Sequence, residues 1–307
     1  MLYANNNQQL TPNTYKINPK FIWQRLPKYA KLIRFDRPIG TFLLMWPALW
    51  ALWFASSGQP NWTTTLVFVM GVILMRSAGC AINDYADRNF DCKVTRTCHR
   101  PLAVGEIQPK EAIGVFLTLS LIAFALVLTQ NLLTVLLSVI ALLLTMIYPF
   151  MKRFIHLPQL ILGAAFGWAV PMAFAATTGT VPNLAWWIFA ATIIWALVYD
   201  TQYAMVDRAD DLRIGIKSSA ILFGSYDRLI IGILQILMIT LLIIIGKLAS
   251  LHSAYFTGIA MATGLAGYQQ YLIWNREPSA CFQAFLHNNY FGMTIFIGIV
   301  LDYIIMQ

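Results

Sequence analysis

Asn83, Asp87 and Asp91 follow one another at four-residue intervals in the run Asn83-Asp84-Tyr85-Ala86-Asp87-Arg88-Asn89-Phe90-Asp91, and Asp207 and Asp211 repeat that interval in Asp207-Arg208-Ala209-Asp210-Asp211. On a helix turning about 100° per residue, a four-residue step drifts only about 40°, so each set can point its oxygens one way. Asp200, seven residues before Asp207, falls within about 20° of it and extends the second stripe. Together with Asp200, the two runs hold seven of the chain's thirteen Asp and Glu residues. Carboxylates crowded where apolar sequence meets polar sequence repel one another and lose hydration, a situation that calls for a shared cation. Oxygen ligands from Asn83, Asp87, Asp91, Asp200, Asp207 and Asp211, with no neighbouring His or Cys, suit a hard ion such as Mg2+, which keeps some water and bridges to phosphate oxygens. Asp84 and Asp210 fall off the two stripes and are left as supporting groups or as contacts to other helices.

A diphosphate is the expected third party. Lys93, Arg96 and Arg100 follow the first acidic run, Lys152 and Arg153 sit together further on, and Lys217 follows the second run. The same bases would also serve simply as markers of the inner side of a membrane. Arg76 needs its own explanation, because it stands seven residues before Asn83 inside an apolar stretch, where a charge is costly and is usually paired or functional. It either neutralises the acidic stripe or receives an anionic group of a substrate.

The elements that must position these residues are membrane helices. The chain has 307 residues, of which 59% are hydrophobic and only 11% charged, against about 25% charged in ordinary soluble domains. A helix needs roughly 20 residues to cross the hydrocarbon, and nine stretches qualify: 39–55, 63–82, 112–130, 132–150, 159–178, 185–206, 228–246, 255–273 and 288–305. With the amino terminus inside, the inner loops, the preceding tail and Arg228 at a loop edge collect all the Lys and Arg residues except Arg76 and Lys247, as the positive-inside rule requires. Both acidic runs then lie at the cytoplasmic face. Residues 1–30 are expected to be a polar and basic cytoplasmic tail, with Phe21, Ile22, Trp23 and Leu26 lying on the membrane surface, and residues 31–307 a single transmembrane domain. Trp46, Trp50 and Trp53, and Trp186 and Trp187, are expected to anchor at the membrane interface. The net charge of +8 is accounted for by topology and calls for no nucleic acid. Cys80, Cys92, Cys98 and Cys281 form no CxxC pair or disulfide framework, and with His99 they do not match usual zinc spacings.

The string from Gly71 through Arg76 to Cys80, leading into NDYADRNFD and then Arg96-Thr97-Cys98-His99-Arg100-Pro101-Leu102, resembles the UbiA superfamily of membrane prenyltransferases. Tyr148-Pro149-Phe150-Met151-Lys152-Arg153, the run from Tyr199-Asp200 to Asp211, and Ile216-Lys217-Ser218 narrow the resemblance to its branch acting on 4-hydroxybenzoate in ubiquinone synthesis. The similarity covers the chain from about residue 30 onward. It implies an all-α, polytopic fold of about nine transmembrane helices around a central cavity open to lipid. It further implies Mg2+ held by the two Asp-rich motifs, with Asp87, Asp91, Asp207 and Asp211 catalytic, and a polyprenyl diphosphate donor gripped by Arg100, Lys152 and Lys217. The acceptor would meet Tyr148 and an arginine, Arg153 or Arg76. The resemblance favours Arg153, and the sequence does not separate the two. Tyr148, Trp168, Tyr199 and Tyr203 are candidates to stabilise an allylic cation. The implied location is the bacterial inner membrane, with membrane lipid around the chain and no obligate protein partner. The rival readings are a superfamily enzyme with another aromatic acceptor and, from a different class, a divalent-cation transporter.

Overall fold

The computed structural model describes residues 19–306, with side chains from residue 25 onward, and every regular element among them is helical. The polar stretch before residue 19, and the side chains of Phe21, Ile22 and Trp23, lie outside the described residues. The backbone of the expected surface segment is helix α1, Pro19–Leu32, which runs across the expected boundary at residue 30. Its Arg25 and Tyr29 side chains reach Glu111 at 3.0 and 2.7 Å, fastening α1 to the first turn of α4.

The membrane helices are α2 (Ile39–Ala55), α3 (Trp62–Asp87), α4 (Pro109–Val127), α5 (Leu132–Met151), α6 (Pro158–Gly167), α7 (Ala169–Thr178), α8 (Asn183–Ile214), α10 (Asp227–Leu248), α11 (Ser253–Leu272) and α12 (Pro278–Ile305), with a short α9 (Ser219–Phe223) leading into α10. Taking α6 and α7 as one broken rod, these match the nine expected spans in order. Among the described residues, seven stretches are long and apolar enough to cross a bilayer, so the chain is a multi-pass membrane protein. The 17-residue α2 is shorter, and α11 is diluted by Ser, Thr, Gly and Gln. The break between α6 and α7 has a local cause. Pro171 has no N–H to offer and its ring crowds the carbonyl of Gly167, four residues earlier, where α6 stops. Other limits are written as caps: Asn61 accepts from the N–H groups of Thr63 and Thr64 at 2.9 and 3.1 Å to start α3, and Gly215 at φ +72° closes α8.

Three helices run past the polar boundaries read from hydropathy, α12 among them, since it starts at Pro278 and not at 288. α3 continues to Asp87 and α8 to Ile214, so most of both acidic runs is helical. The first stripe is nevertheless broken. α3 ends at Asp87, a tight turn follows in which Phe90 N–H donates to Asp87 O at 2.7 Å, and Asp91 begins a separate 3-10 turn, Asp91–Lys93. Asn83 and Asp87 therefore share a helix face while Asp91 returns to them from the loop. Asp200, Asp207 and Asp211 share the unbroken α8, as the spacing predicts.

The core is aromatic and, within the bilayer, partly polar. Trp50 is 2% exposed and stacks on Trp195 with ring centroids 5.3 Å apart. Trp53 meets Phe296 edge-on at 4.9 Å, and Trp46 Nε1 donates to Asn289 Oδ1 at 2.9 Å. These three tryptophans are thus packing residues instead of interface anchors, because α2 is enclosed by α7 and α12. Trp186 and Trp187 are the exposed pair. Around Trp195, an amide chain links Asn288, Gln202, Gln269 and Gln235, giving these side chains, Gln269 Nε2 excepted, partners that hydrocarbon cannot supply. α11 and α12 approach closely at Gly258, where an added Cβ would lie 3.2 Å from the Gly298 Cα. On the opposite side, α4 and α5 bury the least surface.

Candidate active site

One end of the bundle carries both acidic segments, and the connection between α3 and α4 joins them. Across this loop, Thr95 N–H donates to Asp210 Oδ2 at 2.9 Å. Arg96 donates to Asp207 through Nε at 2.9 Å and through Nη2, and its guanidinium lies 4.4 Å from the Tyr203 ring centroid. Arg100 reaches back to Asp91 at 2.8 Å and Asp84 at 3.1 Å. Asp84 is fully buried and also accepts from Arg34, in the link between α1 and α2, at 2.6 Å. At the end of α5, Lys152 pairs with Asp87, and Asn83 Nδ2 donates to the same carboxylate at 3.2 Å.

The cations that share the carboxylates in this structure are therefore the chain's own. Among the described residues, no three acidic, His or Cys side chains converge into a ready-made cage. Asp91 is nonetheless pushed up from the ordinary carboxylate range, first by burial and then by Asp87 and Asp84, with Arg100 opposing the shift. Burial works against the charge on Arg100, but Asp84 and Asp91 outweigh it and hold this guanidinium above its usual value. The pairing is also incomplete. Asp87 Oδ1 and Asp84 Oδ2 are buried with no hydrogen-bond partner, and each unsatisfied oxygen costs about 1–3 kcal/mol. A set of buried carboxylate oxygens with unused lone pairs fits a hard divalent cation.

Beside this network lies a cavity of about 1560 Å3, walled by α2 to α8 and α12, with α10 and α11 taking no part. Its polar end holds Arg76, Asn83, Arg96, Arg100, Tyr148 and Asp200. Lys31, Arg34, Asp36, Arg37 and His99 also line the cavity, and most of the remaining wall is apolar, including Phe68, Leu121, Val127 and Met172. Asp87, Asp91, Asp207 and Lys152 are outside this wall, yet Arg96 and Arg100, which hold Asp207 and Asp91, are in it. Asp211 is buried one helical turn beyond Asp207. Tyr199 and Tyr203 line the cavity beside Tyr148, but Trp168 does not, since its Nε1 donates to Leu137 O at 2.9 Å.

Three of the candidate bases diverge in placement. Lys217 Nζ donates to Phe154 O at 3.0 Å, and Arg153 donates to Ala86 O and lies 5.4 Å from the Phe90 and Phe150 rings. Neither is in the cavity wall. Arg76 is in the wall, where its Nη1 meets Cys80 Sγ at 2.7 Å and its Cζ stands 5.9 Å from the Phe166 centroid. It has no acidic partner among the described residues. Sequence reasoning left Asp84, Asp210 and Arg34 without a role. Asp84 and Asp210 carried a signal, being acids in an acid-poor chain, but their partners are 50 and 115 positions away. The loop cysteines Cys92 and Cys98 turn to the carbonyls of Asn89 and Thr95.

Residues 44–295 match the UbiA prenyltransferase family. The chain is similar to the 4-hydroxybenzoate octaprenyltransferase of Methylococcus capsulatus, 57% identical over 93% of this chain and 98% of that protein. It is 59% identical to the 4-hydroxybenzoate octaprenyltransferase of Nitrosococcus oceani, over 92% of this chain and 99% of that protein. Among solved structures, a UbiA homologue from Aeropyrum pernix superposes with a TM-score of 0.76 at 24% identity, over 85% of this chain and 97% of that one. A UbiA homologue from Archaeoglobus fulgidus bound to GPP and Mg2+ gives 0.69 at 17% identity, over 89% and 99%. The two solved structures establish the fold.

Proposed function

The chain belongs to the UbiA prenyltransferase family, and from that premise we propose that it transfers a polyprenyl group from polyprenyl diphosphate to the ring carbon ortho to the hydroxyl of 4-hydroxybenzoate, releasing diphosphate, in ubiquinone synthesis. The observation that carries this reading is Arg76, a guanidinium without an acidic partner at the polar end of a large apolar cavity. Such a cavity suits a polyprenyl chain, and such a cation suits a carboxylate. The shared name of relatives at 57% and 59% identity over nearly the whole chain supports the same acceptor.

Asn83, Asp87 and Asp91 on one side, and Asp200, Asp207 and Asp211 on the other, would hold Mg2+. A metal held there would supply positive charge to offset that building on the diphosphate as the allylic C–O bond breaks. Arg100, Lys152 and Arg96 supply the fixed cations for the same anion. Acids and bases that pair with each other here can re-pair, the acids with Mg2+ and the bases with diphosphate, so no buried charge is left uncompensated. Lys217 and Arg153 support the backbone of this end, at Phe154 and Ala86. The faces of Tyr148, Tyr199 and Tyr203 stabilise the allylic cation, and the apolar wall keeps water from capturing it. Arg76 holds the acceptor carboxylate, the ortho carbon forms the new C–C bond, and the ring proton lost on rearomatisation can pass to the departing diphosphate. In this reading residues 31–307 are the membrane domain and the acidic end faces the cytoplasm of the inner membrane, an orientation that the charge of the basic loops supports. A cation transporter gains no support, because its acids should lie near the midplane with access from both sides.

The test is an assay of washed membranes containing the protein, given polyprenyl diphosphate and radiolabelled 4-hydroxybenzoate, with Mg2+ or excess EDTA. Lipid-extractable label that depends on Mg2+ and on the protein is expected. No label with 4-hydroxybenzoate but label with another aromatic acceptor would overturn the acceptor assignment.

A further inference from the structure

Gly40 is the second residue of α2, buried, and faces the Arg76 side chain across the cavity wall. A Cβ built on Gly40 would collide with the Nε, Nη2 and Cζ atoms of Arg76. The guanidinium is thus confined on three sides, by the α2 backbone at Gly40, by the Phe166 ring and by Cys80 Sγ. A planar fork so held is pre-organised for a carboxylate, and its place depends on the missing side chain.

We propose that Gly40 is a positioning residue that sets the Arg76 guanidinium at the depth where it selects acceptors bearing a carboxylate. The inference rests on the reading of Arg76 as the acceptor-carboxylate group. Adding one methyl group at residue 40 displaces the guanidinium, leaving donor binding and the cation-forming end, on α3, α5 and α8, in place. Recognition of a charged acceptor is lost, and reaction with a neutral one is spared.

The experiment measures KM and kcat in membranes for 4-hydroxybenzoate and for its uncharged methyl ester. The variants are Gly40→Ala, Arg76→Leu, the double variant Gly40→Ala with Arg76→Leu, and Gly114→Ala, whose added Cβ meets nothing within 4 Å. Gly40→Ala is expected to raise KM for 4-hydroxybenzoate about tenfold, as loss of a charge-assisted hydrogen bond does, with the ester and the donor KM unchanged. Gly114→Ala should match the parent. In the Arg76→Leu background the glycine change should add nothing, because leucine lacks the Nε, Cζ and Nη2 atoms that the added methyl group would meet. Equal losses for acid and ester, or no loss for the acid, would overturn the inference. If Arg76→Leu abolishes the preference for the acid while Gly40→Ala does not, only the role of Gly40 falls; if neither does, the assignment of Arg76 falls as well. Should Gly40→Ala fail to accumulate, recovery of folded protein in the Arg76→Leu background supports the clash, and failure in both backgrounds overturns it.

Discussion

At the scale of single residues, the site is a set of carboxylates whose charge is matched by a particular base. Asp87 answers to Lys152 and Asp207 to Arg96, and both acids are also assigned to Mg2+. Replacing either by Asn keeps the shape but removes the anion, leaving a base without its partner and a cation site one charge short. Asp87→Asn and Asp207→Asn are each expected to lower turnover at least about 100-fold, the scale of losing an electrostatic contact made at the reacting centre. Membrane insertion should be unaffected, as judged by the amount of protein recovered in washed membranes. Wild-type turnover in both variants would remove these acids from the mechanism. Their residue types and spacing were legible in the sequence. That Asp84 is as deeply buried as either, and is shared by Arg34 and Arg100, was not, because nothing local marks a carboxylate for partners from a loop and a distant helix junction.

At the scale of elements, the connection from α3 to α4 is the part that turns two separate motifs into one site. It is pinned at Asp210 by the Thr95 N–H, at Asp207 by Arg96 and at Asp84 and Asp91 by Arg100. Asp210 lies at the exposed edge of this seam and touches no cavity atom, so Asp210→Ala tests the seam alone. Loss of one hydrogen bond worth about 1 kcal/mol should raise the donor KM about fivefold and hasten hydrogen exchange at residues 93–97. Unchanged exchange there would mean that the other anchors suffice. The positions of the helices were readable from hydropathy, but the limits set by Asn61, Pro171 and Gly215 were not read from it. Hydropathy underestimated α3, α8 and the start of α12, because a helix does not stop where it turns polar. The four-residue spacing overestimated the first stripe, because the turn after Asp87 takes Asp91 off the helix axis.

At the scale of the whole molecule, a cavity of about 1560 Å3 beside a self-paired charge network makes ligand and metal binding interdependent. Diphosphate without Mg2+ must pull bases from acids and strand the acids, and Mg2+ without diphosphate strands the bases. A thermal-shift measurement with Mg2+ and a non-reactive polyprenyl thiolodiphosphate should therefore show stabilisation well above the sum of the separate effects. At a ligand concentration one hundred times Kd this amounts to about 2.7 kcal/mol. Additive shifts would mean that the two do not exchange partners. By itself, the sequence determined the membrane class, the nine helical rods and the two acidic motifs, since these follow from local hydropathy, helix period and caps, all properties of neighbouring residues. Only the tertiary structure decided that Arg76 lines the cavity and Arg153 does not, that Trp50 is core, and that Gly40 faces Arg76. Those outcomes depend on which helix faces meet, and that is settled by packing among residues far apart in the chain.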